Sequence, residues 1–194
     1  LTKGENKARA GAMSFCESLL YTDKFPHELG IDETIIFYNN QKVYNYRRPN
    51  DFIDSRSAVL CFPGNFKRDD FQEGLMRVTF IANSHLWHEL KQKDRKTYRS
   101  QKEKVYLEAK KLLQNFSKEM FEVKFQDTFT PSTITRYTGH FAGAVYGSPD
   151  KLRQGQTETE NLILCGTDQG FLGIVGSLLS GISMANLYGL RGGL

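Results

Sequence analysis

The stretch that most constrains the fold is the C-terminal run Asn161 to Leu190, in which Gln169 to Leu190 carries no charge. It opens with Leu162-Ile163-Leu164-Cys165, an apolar run of the length of one buried strand. Gly166 breaks the run, and Thr167, Asp168 and Gln169 form a short polar cluster before a long apolar segment. This order predicts a strand, a tight turn and a helix whose start lies over the strand end. A helix start presents unpaired N–H groups and the positive end of a dipole, which suits an electron-rich or anionic ligand. Gly173, Ser177, Gly181, Ala185 and Gly189 recur every four residues, with Gly176 and Ser180 widening the stripe. Such a stripe lets the backbone approach something flat. Leu172, Val175, Leu179 and Ile182 lie off it and are expected to face a core.

Two other readings of the helix compete, a membrane span and a close-packed structural helix without a ligand. The density of Gly, Ser and Asn and the lack of a basic flank on the entry side speak against a span. The position of Gly166-Thr167-Asp168 at a strand end favours a ligand, because open α/β sheets bind ligands there.

Composition bounds the remainder. With 39% apolar and 25% charged residues, the chain is that of a soluble globular protein of one or two domains. Its net charge of +4 is uneven. Lys91 to Lys118 holds eight Lys and two Arg against Asp94, Glu103 and Glu108, ten minus three or +7. Cys16, Cys61 and Cys165 are far apart, which argues against a disulfide framework and against zinc, and for a reducing compartment. No signal peptide is visible, and a start at Leu1 is read as an entry into the middle of a longer chain.

Along the chain, residues 1 to 10 are polar and basic. Ala12 to Tyr21 alternates, with Met13, Phe15, Leu19 and Tyr21 expected on one face and Ser14, Cys16 and Ser18 on the other. Phe25 to Gly30 reads as one turn. Thr34 to Tyr38 and Lys42 to Tyr46 read as a hairpin turned at Asn39-Asn40. Ser57 to Phe62 and Leu75 to Ala82 read as further strands. Strands joined without long helices indicate an antiparallel sheet. Helices are expected from His85 to Lys91, with Ser84 as cap, and from Arg95 to Met120. Phe121 to Phe125 reads as a strand ended by Phe129-Thr130-Pro131. The glycine-rich segment Thr133 to Gly147 suggests backbone close to a ligand, with a plain surface loop as the alternative. Ser148 to Glu160 is a polar linker.

Few side chains announce chemistry. His85 and His88 form an HxxH without further ligands, so no metal is expected. His140 has no visible base partner. No GxSxG, Walker A or GxGxxG occurs, and Gly170-x-x-Gly173-x-x-Gly176 has the wrong spacing for a dinucleotide fingerprint. No catalytic acid or base is identified. The basic helix has few aromatics on its charged face, so nucleic acid is not expected as a partner, whereas the +7 segment motivates peripheral contact with an anionic membrane.

Two segments together, TFTPSTITRYTGHFAGAVYG (Thr128 to Gly147) and LILCGTDQGFLGIVGSLLSGISMAN (Leu162 to Asn186), resemble the C-terminal part of the phytoene desaturase family. That family of FAD-dependent oxidoreductases, within the amine-oxidase-like flavoproteins, includes carotenoid isomerases and retinol saturases. The resemblance implies an α+β chain: a partial substrate domain over residues 1–135, and the returning segment of a Rossmann-like FAD domain over 136–194. It implies FAD as cofactor and desaturation, saturation or isomerisation of a polyene or isoprenoid-like apolar substrate. Gly166, Thr167 and Asp168 would then lie by the ribityl chain, and Gly173, Ile174 and Val175 at the flavin's pyrimidine edge. Arg136, Tyr137, Gly143, Ala144 and Tyr146 would flank the substrate or flavin. The family's GxGxxG unit, which holds the ADP half, is absent from these residues, so they are expected to need the remainder of a longer chain for activity. The alternative is a non-enzymatic apolar-ligand or interaction domain that has lost the redox site. Either reading is compatible with a cytoplasmic or peripherally membrane-associated protein.

Overall fold

The computed structural model describes residues 10–66 and 74–190. The polar N-terminal stretch read above falls almost wholly outside them. The chain is α+β and divides into two compact units, Met13–Ala144 and one containing Val145–Leu194. Residues 136–144, which the resemblance assigns to the second domain, pack with the first.

The larger unit is built on an open five-stranded antiparallel sheet. Its strands are β1 (Ser14–Thr22), β2 (Ile35–Asn39), β3 (Ser57–Cys61), β4 (Gly74–Ala82) and β5 (Val123–Phe129), in the order β2-β3-β4-β1-β5. β1 is central, paired along its whole length with β4 and on its other side with β5. Helices α1 (Ser84–Lys93) and α2 (Arg95–Gln114) share a core with the sheet: Cys16, Leu20, Leu60, Phe62, Val78 and Phe80 meet Trp87, Val105, Ala109 and Leu113. A short helix α3 (Pro131–Thr138) follows β5.

Local chemistry accounts for the helix boundaries. Asn83, not Ser84, caps α1, its side chain accepting from the Leu86 N–H. Asp94 caps α2, accepting from the N–H groups of Lys96 and Thr97. Gln114 ends α2 six residues before the expected Met120, and the Leu112 and Leu113 carbonyls of its last turn accept from the N–H groups of Asn115, Phe116 and Ser117. Pro131 opens α3, where its missing N–H costs nothing, and Gly139 ends it in the left-handed conformation.

Two expectations are corrected here. Lys42–Tyr46 is not a strand: β2 pairs directly with β3, and residues 40–56 form the long loop between them, closed by Asn40 N–H donating to Arg56 O. The faces of β1 divide as expected, and the buried one carries Ser14, Cys16, Ser18 and Leu20, with Phe15, Leu19 and Tyr21 on the other. The physical reason is the close helical layer, which needs small residues on the central strand. The buried hydroxyls are satisfied, Ser14 Oγ donating to Gly143 O at 2.6 Å and Ser18 Oγ bonding Thr128 Oγ1 at 3.0 Å. Thr133–Thr138 is helix and not loop.

The 40–56 loop is anchored by Asp54. Its buried carboxylate accepts from the N–H of Arg56 at 3.0 Å, from Nε at 2.8 Å and from Nη2 at 2.9 Å. The Arg56 guanidinium holds this carboxyl below its usual range, although burial acts the other way. A depressed folded pKa adds stability above the unfolded value of about 3.9, and this is lost as pH falls through the folded value. Asp54→Asn should lower stability at neutral pH by about 1 kcal/mol, the partner being solvent-exposed, and the deficit should shrink in acid. Denaturant titrations at pH 7 and in acid check this; an equal deficit at both would contradict it.

The smaller unit holds one long helix, α4 (Gly173–Met184), continued over Ala185–Leu190 by a wider π-type turn. The expected strand Leu162–Cys165 is absent. Ile163 makes only an isolated bridge to Gln156, and Leu164 N–H donates to Gly155 O at 2.7 Å. A buried strand needs a sheet, and no further strand of this unit pairs with it among the described residues. The facing of α4 is also corrected. Leu172, Val175, Leu179 and Ile182 are exposed, while Ser180 and Tyr188 are buried and Gly176, Ser177, Gly181 and Met184 half-buried. Small residues thus make the packed side, because loop backbone and not a side-chain layer lies against it: Gly155, for one, abuts the Met184 sulfur. Gly173–Leu190 has the length and composition of a membrane span, with little of it buried.

Candidate functional site

The turn at Gly166 shows how the C-terminal segment is held. Gly166 has φ 93° and ψ −147°, a conformation open to glycine alone. Its N–H donates to Ser180 Oγ at 2.7 Å, and Ser180 donates to Gln169 Oε1. Gln169 Nε2 in turn reaches Arg153 O at 2.9 Å. Gln169 and Ser180 are both buried, so this chain of polar contacts locks the turn to the middle of α4.

Tyr146, Thr167 and Asp168 come together in this unit. Asp168 Oδ1 accepts from Ser148 N–H at 2.6 Å, and Lys151 Nζ donates to Tyr146 O at 2.5 Å and Thr167 O at 2.8 Å. Gly147 (φ 63°) sits against Asp168, a Cβ there meeting Oδ1 at 2.1 Å. Gly173 (φ 73°) opens α4 with open space where a Cβ would be, and so does Gly166. Leu172 supplies no side-chain cap, which leaves the first N–H groups of α4 without one. Ile174 and Val175 are exposed at 91% and 69%.

The other predicted residues belong to the sheet unit. Gly143 is buried at φ 68°, next to Ala142 at φ 50°, and a Cβ on Gly143 would lie 2.5 Å from Pro131 O. Ala144 is buried, and its carbonyl accepts from His140 Nδ1 at 2.9 Å. Tyr137 is exposed, its ring under the Arg136 guanidinium at 5.6 Å. Arg136 itself lines an open cavity of about 500 Å³ with His88, Lys91, Gln92, Arg95, Ser132 and Thr135.

His88 has both ring nitrogens engaged, Nδ1 donating to Ser84 O at 2.6 Å and Nε2 meeting Thr135 Oγ1 at 3.0 Å. Among the described residues no three His, Cys, Asp or Glu side chains gather as a metal site would require, and the three cysteines are free. Burial pushes the Cys16 thiol well above its usual range, which keeps it un-ionised.

Sequence reasoning missed Lys151, Ser148 and the Ser180–Gln169 pair. Gln169 stood in view as part of the polar cluster, but its partner lies eleven positions on, one of several serines in an apolar helix. It also missed the convergence of Lys91, Arg95 and Arg136, because helix spacing does not reveal which neighbouring helix supplies a third cation. Comparison of this chain with known protein families, with characterised proteins and with solved structures finds no match.

Proposed function

We propose that this chain supplies the substrate-side sheet and the flavin-closing segment of a FAD-dependent oxidoreductase acting on a polyene or isoprenoid-like substrate. The observation that carries the reading most is the sheet face opposite the helices. Ile35, Phe37, Val59, Leu19, Tyr21 and Phe125 alternate onto it, with Phe37 at 81% exposure and Phe125 at 61%. A sheet with one face buried under helices normally turns polar residues outward. Here the outward face is apolar around the polar cluster of Glu17 with Arg77 and Thr79, with Asp127 opposite Leu19 on the edge strand, and such a patch marks a binding surface. It suits a long apolar substrate.

The C-terminal unit fits the flavin end of the cofactor. The uncapped N–H groups at Gly173, Ile174 and Val175 suit an edge that gains negative charge, the open Cβ positions of Gly166 and Gly173 admit close approach, and Asp168 offers an acceptor for ribityl hydroxyls. Nothing in the 194 residues fits the ADP end. When bound, the flavin would supply the two-electron chemistry; the residues here position it and keep the apolar substrate dry. The exposed apolar side of α4 is the surface that the rest of such a cofactor domain would cover.

The test is flavin retention by the product of the uninterrupted reading frame that contains these residues. It should purify with bound FAD, and Asp168→Ala should lower the retained fraction by about tenfold, the worth of one hydrogen bond to a charged group. Unchanged flavin content in that variant would remove Asp168 from the site. A colourless product that takes up no FAD yet binds an apolar polyene would leave the sheet as a non-enzymatic apolar-ligand domain.

A further inference from the structure

The cavity between α1, the start of α2, and α3 draws cations from all three helices. Lys91 comes from α1, Arg95 from the first position of α2, and Arg136 from α3. No carboxylate lines it. Among the described residues none of the three forms an ion pair, although neighbouring lysines do: Lys93 with Glu89 and Lys102 with Asp127. Asp94, which adjoins Arg95 in sequence, is spent on capping α2.

Unpaired cations repel one another, and folding brings these together only because other contacts force it. The His88–Thr135 bond joins α1 to α3 directly beside the cavity, and Ser132 Oγ donates to Trp87 O at 3.5 Å. Tyr98 lies against the Lys91 ammonium at 5.9 Å, and its hydroxyl bonds Thr130 Oγ1 at 2.6 Å, just ahead of α3. The helices that carry the three cations are therefore fixed relative to one another before any ligand arrives, which removes part of the ordering cost of binding.

We infer that this cavity is a binding site for a phosphate-bearing anion, with Lys91, Arg95 and Arg136 as its charged contacts and Gln92 as a neutral donor. Two forked guanidinium groups and an ammonium around one cavity match the spread of oxygens on a phosphate or diphosphate better than a single carboxylate. The cost shows at Lys91: burial, then the charges of Arg136, Arg95 and Lys102, pull its ammonium pKa below the usual lysine range. An anion in the cavity relieves that repulsion. The inference does not depend on the flavin reading, since none of its contacts comes from the C-terminal unit.

The source of the phosphate is either a free solute or a lipid headgroup, and one set of proteins separates them. Inorganic pyrophosphate is titrated calorimetrically into the full 194-residue chain, and in parallel the chain is sedimented with phosphatidylcholine vesicles containing phosphatidic acid. Saturable binding to either ligand is expected, weakening with salt. Lys91→Gln and Arg95→Gln should each weaken it by about tenfold, while Lys93→Gln, which removes an already paired charge, should leave it unchanged. Binding of pyrophosphate identifies a solute site; binding of the vesicles alone, with the same variant pattern, identifies a headgroup site. No saturable binding to either ligand overturns the inference. So does an equal loss in Lys93→Gln, because attraction would then follow overall charge and not this cavity. Circular dichroism of each variant confirms that the fold is retained.

Discussion

Replacing Trp87 with Ala should destabilise the sheet unit by about 3–5 kcal/mol, the range for removing a fully buried large aromatic. Trp87 is completely buried at the meeting point of α1, α2 and the long 40–56 loop. Its ring packs edge-on against Phe52 at 5.1 Å and Tyr98 at 5.5 Å. Its Nε1–H donates to Phe52 O at 3.0 Å, so the truncation also removes one of the two donors to that carbonyl, leaving the Asn83 N–H. Trp87→Phe keeps most of the packing and loses only that bond, and should cost about 1–2 kcal/mol by comparison. Because Trp87 is the sole tryptophan, the check is denaturant unfolding followed by circular dichroism and not by fluorescence. Equal losses in the two variants would show that the hydrogen bond, not the buried volume, holds the loop.

Gly143→Ala is the second large effect, at about 2–5 kcal/mol. A left-handed conformation costs a residue with a Cβ roughly 1–2 kcal/mol, and overpacking a filled interior adds about 1–3 kcal/mol. Both apply, since Gly143 has φ 68° and its Cβ would sit 2.5 Å from a backbone oxygen of Pro131, which cannot rotate away. The Gly143 carbonyl is also the acceptor for the buried Ser14 hydroxyl at 2.6 Å, so a shift of this turn reaches the end of the central strand. Gly139→Ala makes the control: it has a similar φ of 69° but open space around it, and should show the conformational cost alone. Thermal melts of the two variants separate the contributions, and identical shifts would mean that the contact with Pro131 relaxes freely.

These two positions differ in how far the sequence announces them. Trp87 stands in an amphipathic helix and Gly143 in a glycine-rich segment, so each is visible as unusual. That Trp87 closes the 40–56 loop depends on Phe52, thirty-five positions earlier, and no local pattern marks that pairing. The same holds for the cation cavity: Lys91 and Arg95 lie in a conspicuous basic segment, yet Arg136 joins them only because α3 packs on α1. In the C-terminal unit, the resemblance singles out Gly166, Asp168 and Gly173, and the structure gives both glycines backbone conformations that favour the absence of a side chain. Their expected strand did not form, since strand pairing is a property of neighbours and not of an apolar run.

Taken alone, the sequence determined most element types: alternation marked β1, apolar runs marked β3 and β4, 3.6-residue spacing marked α2, and glycine with proline marked the chain breaks. These are local effects, decided by backbone sterics and by the spacing of apolar residues. The tertiary structure alone decided which face each element buries. The central strand turns Ser14, Cys16 and Ser18 inward because two helices lie close over it, and α4 turns Gly176, Ser177, Ser180 and Gly181 inward because backbone packs there. Burial depends on the volume and polarity of whatever lies opposite, and that partner comes from elsewhere in the chain.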